Sequence, residues 1–379
     1  GPPNNWQAAF GGKAWTWDAA TGQYYYHMFL PEQPDLNWHN PDVRRALKDA
    51  TRFWLDRGVD GFRLDVFNTW YEDPGYPDNP MKLGVRGFDR QRHIHDVDQP
   101  EMQAALAEFR SLLDAYPERA SVGEPFEAEL RRAVSYCSNR ALHMVFNFEF
   151  SSRRWDPQAF CASIETAERQ MTGEAWPCYV LSNHDLSRHV SRYGGRHPSE
   201  VARVAAALLL TQRGTPFLYY GEEIGLPDVP LRRDQLLDPP GRKYWPFYKG
   251  RDPNRGPMPW DGGPNAGFTT GEPWLPLRSD FPQLNVAAQR RDPRSVWSFY
   301  RDLLRLRRET PALRRGSFQR VSHPSRDGLA YLRIAPGGQA LVALNFRAAS
   351  VCLDLVQSVE PSAWSLALAA HPDRAAALS

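Results

Sequence analysis

Asp60-Gly61-Phe62-Arg63-Leu64-Asp65-Val66-Phe67-Asn68 is the stretch on which the reading of this chain turns. A turn pair, Asp60-Gly61, opens it, and a short apolar run follows with one Arg and one Asp two residues apart. If the run is a strand, its alternation puts Arg63 and Asp65 on one face and Phe62, Leu64 and Val66 on the other. A carboxylate beside a guanidinium is held ionised, which is the state a nucleophile needs. Alone, the pair reads first as a structural ion pair at a sheet edge. The rest of the chain reverses that order.

Upstream, Asn40-Pro41 is an N-cap followed by proline, and Val43, Ala46, Leu47, Ala50, Phe53 and Trp54 keep a helical period up to Gly58. Downstream, a polar loop from about 69 to 99 precedes a helix from about Pro100 to Tyr116. Short strands are expected at Ala120–Glu124, His143–Phe148, Cys178–Asn183 and Pro216–Glu223, with a nearly all-apolar helix over Val201–Gln212. Strands alternating with helices describe a parallel sheet of βα units. Residues 226–293 read as loop, then a helix spans about 295–309. Runs at 329–334 and 340–345 suggest a small antiparallel β domain.

Three acids end three of the strands: Asp65, Glu124 and Asp185. Polar residues where parallel strands stop mark the active face of a (β/α)8 barrel. Retaining glycoside hydrolysis needs a nucleophilic carboxylate and a protonated acid about 5–5.5 Å apart. Asp65 beside Arg63 suits the nucleophile. Glu124, between Val122 and Pro125-Phe126, suits an acid whose proton is retained by apolar surroundings. Asp185, after His184, suits a clamp on sugar hydroxyls. Each acid alone reads as an exposed loop residue; three at consecutive strand ends do not.

The other features bound this reading. A net charge of +2 gives no electrostatic case for nucleic acid or a lipid surface. The 13 Trp, 15 Tyr and 19 Phe suit sugar faces, though most belong to a core. Cys137, Cys161, Cys178 and Cys352 show no CxxC spacing and are expected reduced and buried, in the cytoplasm. No apolar run reaches the roughly 18 residues of a membrane span.

Gly61-Phe62-Arg63-Leu64-Asp65-Val66, Val122-Gly123-Glu124 and Ser182-Asn183-His184-Asp185 resemble the second, third and fourth sequence blocks of the α-amylase superfamily, glycoside hydrolase family 13. Gln33-Pro34-Asp35-Leu36-Asn37-Trp38 resembles the extra block of its oligosaccharide-cleaving branch. Pro2–Trp6, Gly22–Tyr25, Asp98–Glu101 and Arg251-Asp252 with Arg255, Pro257-Met258 and Trp260 are similar to bacterial α-glucosidases and oligo-1,6-glucosidases. The resemblance implies a (β/α)8 TIM-barrel catalytic domain with a C-terminal antiparallel β domain. It implies Asp65 as nucleophile, Glu124 as acid/base and Asp185 as transition-state stabiliser, with Arg63, His184 and Arg255 binding substrate. Val66 directly after the nucleophile accompanies α-1,6 preference in similar enzymes, and a β-branched side chain there would narrow the pocket for the leaving sugar.

Family members carry three barrel strands, a first block with a sugar-binding His and often a calcium loop before the segment matched by Gly1. The resemblance therefore implies a chain truncated at its N-terminus: 1–39 from the lobe inserted after strand 3, 40–312 carrying about strands 4–8, and 313–379 as an incomplete β domain. Such a chain is expected to be poorly soluble and inactive alone. Implied partners are an oligosaccharide substrate, with no nucleic acid or membrane, a monomeric state when full-length and no cofactor or metal in these residues. The alternatives on the same fold are an α-1,4-glucosidase, a sucrose- or trehalose-type transglycosylase or isomerase with the same triad, and an inactive fragment or non-catalytic relative such as an ancillary subunit of a transporter.

Overall fold

A computed structural model of the protein describes residues 1–126, 129–137, 140–173, 175–355 and 364–371. The chain divides into two compact units: residues 1–146 with 173–176, and residues 147–172 with 177–379.

The first unit opens with an aromatic lobe. Strands β1 (Trp15–Asp18) and β2 (Gln23–Tyr26) pair antiparallel, Trp15 opposite Tyr26, around the Asp18–Gly22 turn. Their inward residues join Trp6, Met28 and Phe88 in one buried cluster. Helix α1 (Pro41–Leu55) starts where the local signals put it: the Asn40 side chain accepts from Asp42 N–H, and Pro41 supplies the first helical position. Its apolar face is only partly covered among the described residues, for Leu55 is buried while Phe53 and Trp54 are about half exposed.

Three parallel strands follow: β3 (Gly61–Leu64), β4 (Ala120–Gly123) and β5 (Met144–Asn147). The register sets Gly61 beside Ala120 and Leu64 beside Gly123, and Val122 beside Met144. Helix α2 (Glu101–Leu113) returns the chain from β3 to β4, packing Leu112 and Leu113 with Leu55 and Phe62. Helix α3 (Leu130–Ser135) lies between β4 and β5. Gly123 has no substitute here: a Cβ would sit 2.3 Å from Leu142 and 2.5 Å from Phe67.

In the second unit, α4 (Phe148–Ser151) and α5 (Pro157–Gln170) lead to β6 (Trp176–Val180). Helix α5 is a finding, since no element is expected there; yet Asp156 caps Ala159 N–H and Pro157 sits at its first turn. Helices α6 (His189–Tyr193) and α7 (Pro198–Leu210) precede β7 (Thr215–Phe217), which is parallel to β6 with Val180 beside Phe217. The expected strand to Glu223 is shorter than read. Gly221 and Gly225 take left-handed backbone around a 3-10 turn, Glu222–Ile224, so the acids lie on a turn rather than a strand. Helices α8 (Pro239–Tyr244), α9 (Val286–Arg291), α10 (Val296–Glu309) and α11 (Pro311–Arg315) follow. The apolar face of helix α7 is buried because α10 packs on it through Val296, Phe299, Tyr300 and Leu303.

The antiparallel sheet closes the described chain in the order β10 (Gly338–Asn345), β9 (Gly328–Ala335), β8 (Ser317–Arg320). It is tied to the segment just after α7 through the Tyr331 hydroxyl, which accepts from Gln212 Nε2 at 2.8 Å. Of the region expected to form a β domain, residues 356–363 and 372–379 lie outside the described residues. Among the described residues no helix is long and apolar enough to cross a membrane. All four cysteines are free, but Cys352 is exposed rather than buried as expected, because it follows the last strand on an open segment.

Candidate active site

In the first unit β3 delivers Arg63 and Asp65, and β4 delivers Glu124. The parallel register continues one step past β4, Glu124 N–H donating to Leu64 O at 2.8 Å, so the two strand ends lie level. Arg63 Nη2 donates to Asp65 Oδ1 at 3.0 Å and also to Glu124 Oε2. Arg63 Nε bonds the same Glu124 oxygen at 3.1 Å. One nitrogen bridging both acids keeps their oxygens within two hydrogen-bond lengths, about 6 Å. Partial burial of the guanidinium opposes its charge, but Glu124 and then Asp65 more than offset this and raise Arg63 above the ordinary arginine value. Glu124 is therefore not in a purely apolar setting. It is buried, and its Oε2 accepts from the Arg63 guanidinium. Asp65 is the open member, its side chain 66% exposed.

Val66 takes φ 34°, ψ 39°, a left-handed conformation that costs a β-branched residue about 1–3 kcal/mol. Thr69 holds it there, its N–H and hydroxyl both bonding Val66 O, at 3.0 and 2.9 Å. Next along, Asn68 is fully buried. It donates to Asp98 Oδ1 and Phe126 O, each at 3.1 Å, and accepts from Phe126 N–H. One amide thus ties the segment after Asp65 to the segment after Glu124.

In the second unit His184, Asp185 and Arg255 come together. Asn183 Oδ1 accepts from the backbone N–H groups of Asp185 and Leu186, at 2.9 and 2.8 Å, folding the end of β6 into a tight turn. Asp185 Oδ1 accepts from Arg255 at 2.9 Å and from Arg251 at 3.2 Å, and Oδ2 lies 3.2 Å from His184 Nε2. Arg255 Nε also holds His184 O at 2.8 Å. Arg251 was not singled out for this role by its sequence, though it lies in the quoted Arg251-Asp252 pair. It forks onto the buried Asp238 as well, with Nη2–Oδ1 at 2.7 Å. Burial opposes the Arg251 charge, but Asp238 and Asp185 raise it above the ordinary value. Arg251→Met should leave Asp238 buried without its cation. The expected cost is about 3–5 kcal/mol by urea unfolding, and a change within 1 kcal/mol would remove Arg251 from this role.

The α-amylase catalytic-domain family matches residues 1–316. The chain belongs to the α-amylase family. It is 41% identical over 336 residues to a probable α-glucosidase of Rhizobium meliloti, covering 84% of this chain and 61% of that protein. It is 35% identical over 378 residues to an oligo-1,6-glucosidase of Parageobacillus thermoglucosidasius, covering 91% and 67%. A solved α-glucosyl transfer enzyme superimposes with TM-score 0.86 at 41% identity, over 91% of this chain and 66% of its own. The chain thus spans about two-thirds or less of the length of these relatives. The expected class holds for this family chain: part of a TIM barrel, with β3–β7 as barrel strands, then an antiparallel β domain. Among the described residues no three His, Cys, Asp or Glu side chains are grouped as metal ligands.

Proposed function

We propose that this protein is a retaining α-glucosidase that hydrolyses terminal α-glucosidic bonds of short oligosaccharides, with preference for α-1,6 linkages. The carrying observation is Arg63, whose one nitrogen bridges Asp65 and Glu124. A ceiling of about 6 Å on that oxygen pair is compatible with the about 5–5.5 Å of retaining enzymes and falls short of the about 6.5–9.5 Å of inverting ones. Asp65, exposed and paired with a cation, attacks the anomeric carbon and forms the glycosyl ester. Glu124 gives its proton to the departing oxygen, then takes one from the incoming water. Asp185, steadied by Arg251 and Arg255, holds sugar hydroxyls as positive charge develops on the ring. No cofactor enters these steps, and the protein would work as a monomer in the cytoplasm, a compartment that suits its unpaired cysteines.

A second reading has one observation in its favour, the similarity to an α-glucosyl transfer enzyme. There a sugar hydroxyl replaces water in the second step. Incubating the whole protein with isomaltose, maltose and sucrose separates the two: glucose as the main product supports hydrolysis, while longer or rearranged saccharides support transfer. Isomaltose should turn over faster than maltose. Val66→Ala should move that ratio toward maltose by roughly ten-fold, the scale of one or two methyl groups in a pocket. An unchanged ratio would show that the pocket is shaped by other residues.

A further inference from the structure

Behind the Asn183–Asp185 turn lies a buried imidazole–carboxylate pair that the mechanism does not use. His189 and Glu222 have side chains 0% and 1% exposed, and His189 Nδ1 lies 3.5 Å from Glu222 Oε1. The same Nδ1 lies 3.0 Å from Ser182 Oγ, and the His189 backbone N–H donates to that hydroxyl at 2.9 Å. Ser182 is thus held twice by one residue, immediately before the turn that carries Asp185.

Both Glu222 oxygens are buried without a hydrogen-bond partner among the described residues, as are His189 Nε2 and the Tyr300 hydroxyl. A carboxylate so placed is sustained only by nearby positive charge. Arg192 and Tyr300 both feel the charge of Glu222. Arg192, however, spends its donors elsewhere: Nε on Ser187 O at 2.9 Å, and its terminal nitrogens on Ser151 O, Leu181 O and the Tyr193 hydroxyl. Tyr300 can offer only a neutral hydroxyl, and His189, 3.5 Å away, is the neighbour whose ring can bear a positive charge toward Glu222.

We propose that His189 carries a proton on Nδ1, donated to Ser182 Oγ with Glu222 as the facing counter-charge, and that this cluster is the positioning device for Asn183–Asp185. The far side of the turn is held independently, Asn254 Nδ2 donating to Asn183 O at 3.0 Å and Arg255 to His184 O. Loss of the pair therefore loosens one anchor of the turn and leaves the other. The consequence for catalysis rests on the reading of Asp185 given above; the positioning does not.

The test uses the whole protein with His189→Asn, Glu222→Gln, the double variant and Ser182→Ala. Amide hydrogen exchange of residues 183–185 is the first readout. Each charge-breaking single variant should speed it by about ten-fold or more, and the double variant should recover most of that loss, because no unpaired charge is left buried. Ser182→Ala removes the link but keeps the pair, so it should speed exchange while the His189 ring 15N spectrum still shows a proton on Nδ1. A bare Nδ1 in the unmodified protein, exchange within two-fold in Ser182→Ala, or a double variant as impaired as the sum of the singles would each overturn the inference. Faster exchange with unchanged kcat/KM would uphold the positioning and remove Asp185 from the catalytic reading instead.

Discussion

Asp65→Asn should lower kcat by about four orders of magnitude or more while leaving KM within a few-fold. The amide keeps the shape and the hydrogen bond from Arg63 but has no lone pair able to form a stable glycosyl ester, so the covalent route closes. Binding through other groups persists, and for that reason the loss appears in kcat. Single-turnover assays of the whole protein on isomaltose, or on p-nitrophenyl α-glucoside, measure it. Restoration of turnover by added azide, which can attack the anomeric carbon in place of the missing carboxylate, would give the opposite anomer and support the assignment. Near-normal kcat in Asp65→Asn would remove Asp65 as nucleophile.

The other large effect concerns Glu72, a buried acid. Glu72 is 7% exposed and one of its carboxylate oxygens is buried with no hydrogen-bond partner. Burial, then the charges of Asp35 and Asp96, pushes its carboxyl from 4.5 up to about 8. Asp35 is pushed by burial from 3.8 to about 6, although Met28 N–H bonds it at 2.6 Å. The facing groups are Tyr26 and Tyr76, which feel Glu72, and Asp96, which is held by Asn79 and His93. Between the ordinary and the raised values the folded chain keeps a proton that the unfolded chain has released. Unfolding then releases protons, so stability falls as pH rises. The contribution is complete below about pH 4.5 and gone above about pH 8. Between pH 5 and 8 the loss from Glu72 is roughly 3 kcal/mol. Asp35 adds to it at the acid end of the range. Glu72→Gln should flatten urea-unfolding stability between about pH 6 and 8 and make the variant the more stable form in mild alkali. The same slope in both proteins would place the titrating group elsewhere.

These two results test different layers of the molecule, and they differ in how visible they were before folding. Asp65 is legible because its cause is local: Arg63 is two residues away on the same strand face, and they pair at 3.0 Å. The start of α1 is legible for the same reason, since Asn40 and Pro41 act within one turn. Helix α5 carried an equally local signal in Asp156-Pro157, which the weak apolar period beyond it obscured.

The burial of Glu72 is of another kind. Nothing in Tyr71-Glu72-Asp73 distinguishes it from a solvated loop acid; its state is set by Asp35 and Asp96, which only the fold brings near.

Asp65 and Glu124 were placed by the sequence itself, each one residue beyond a short strand, β3 or β4, whereas Asp185 lies five residues beyond β6 on a turn. Tertiary structure alone decided what surrounds them. It put Glu124 against Arg63 across 61 residues. It tied Arg251 to both Asp185 and Asp238, and made Asn68 the bond between two loops. It also held Val66 in a backbone region its own side chain disfavours. The physical reason is range. Caps, turns and periodicity act over a few residues and are written in order along the chain. Ion pairs and buried amides depend on through-space distances of about 3 Å, and those distances are set by packing between segments that the linear sequence leaves far apart.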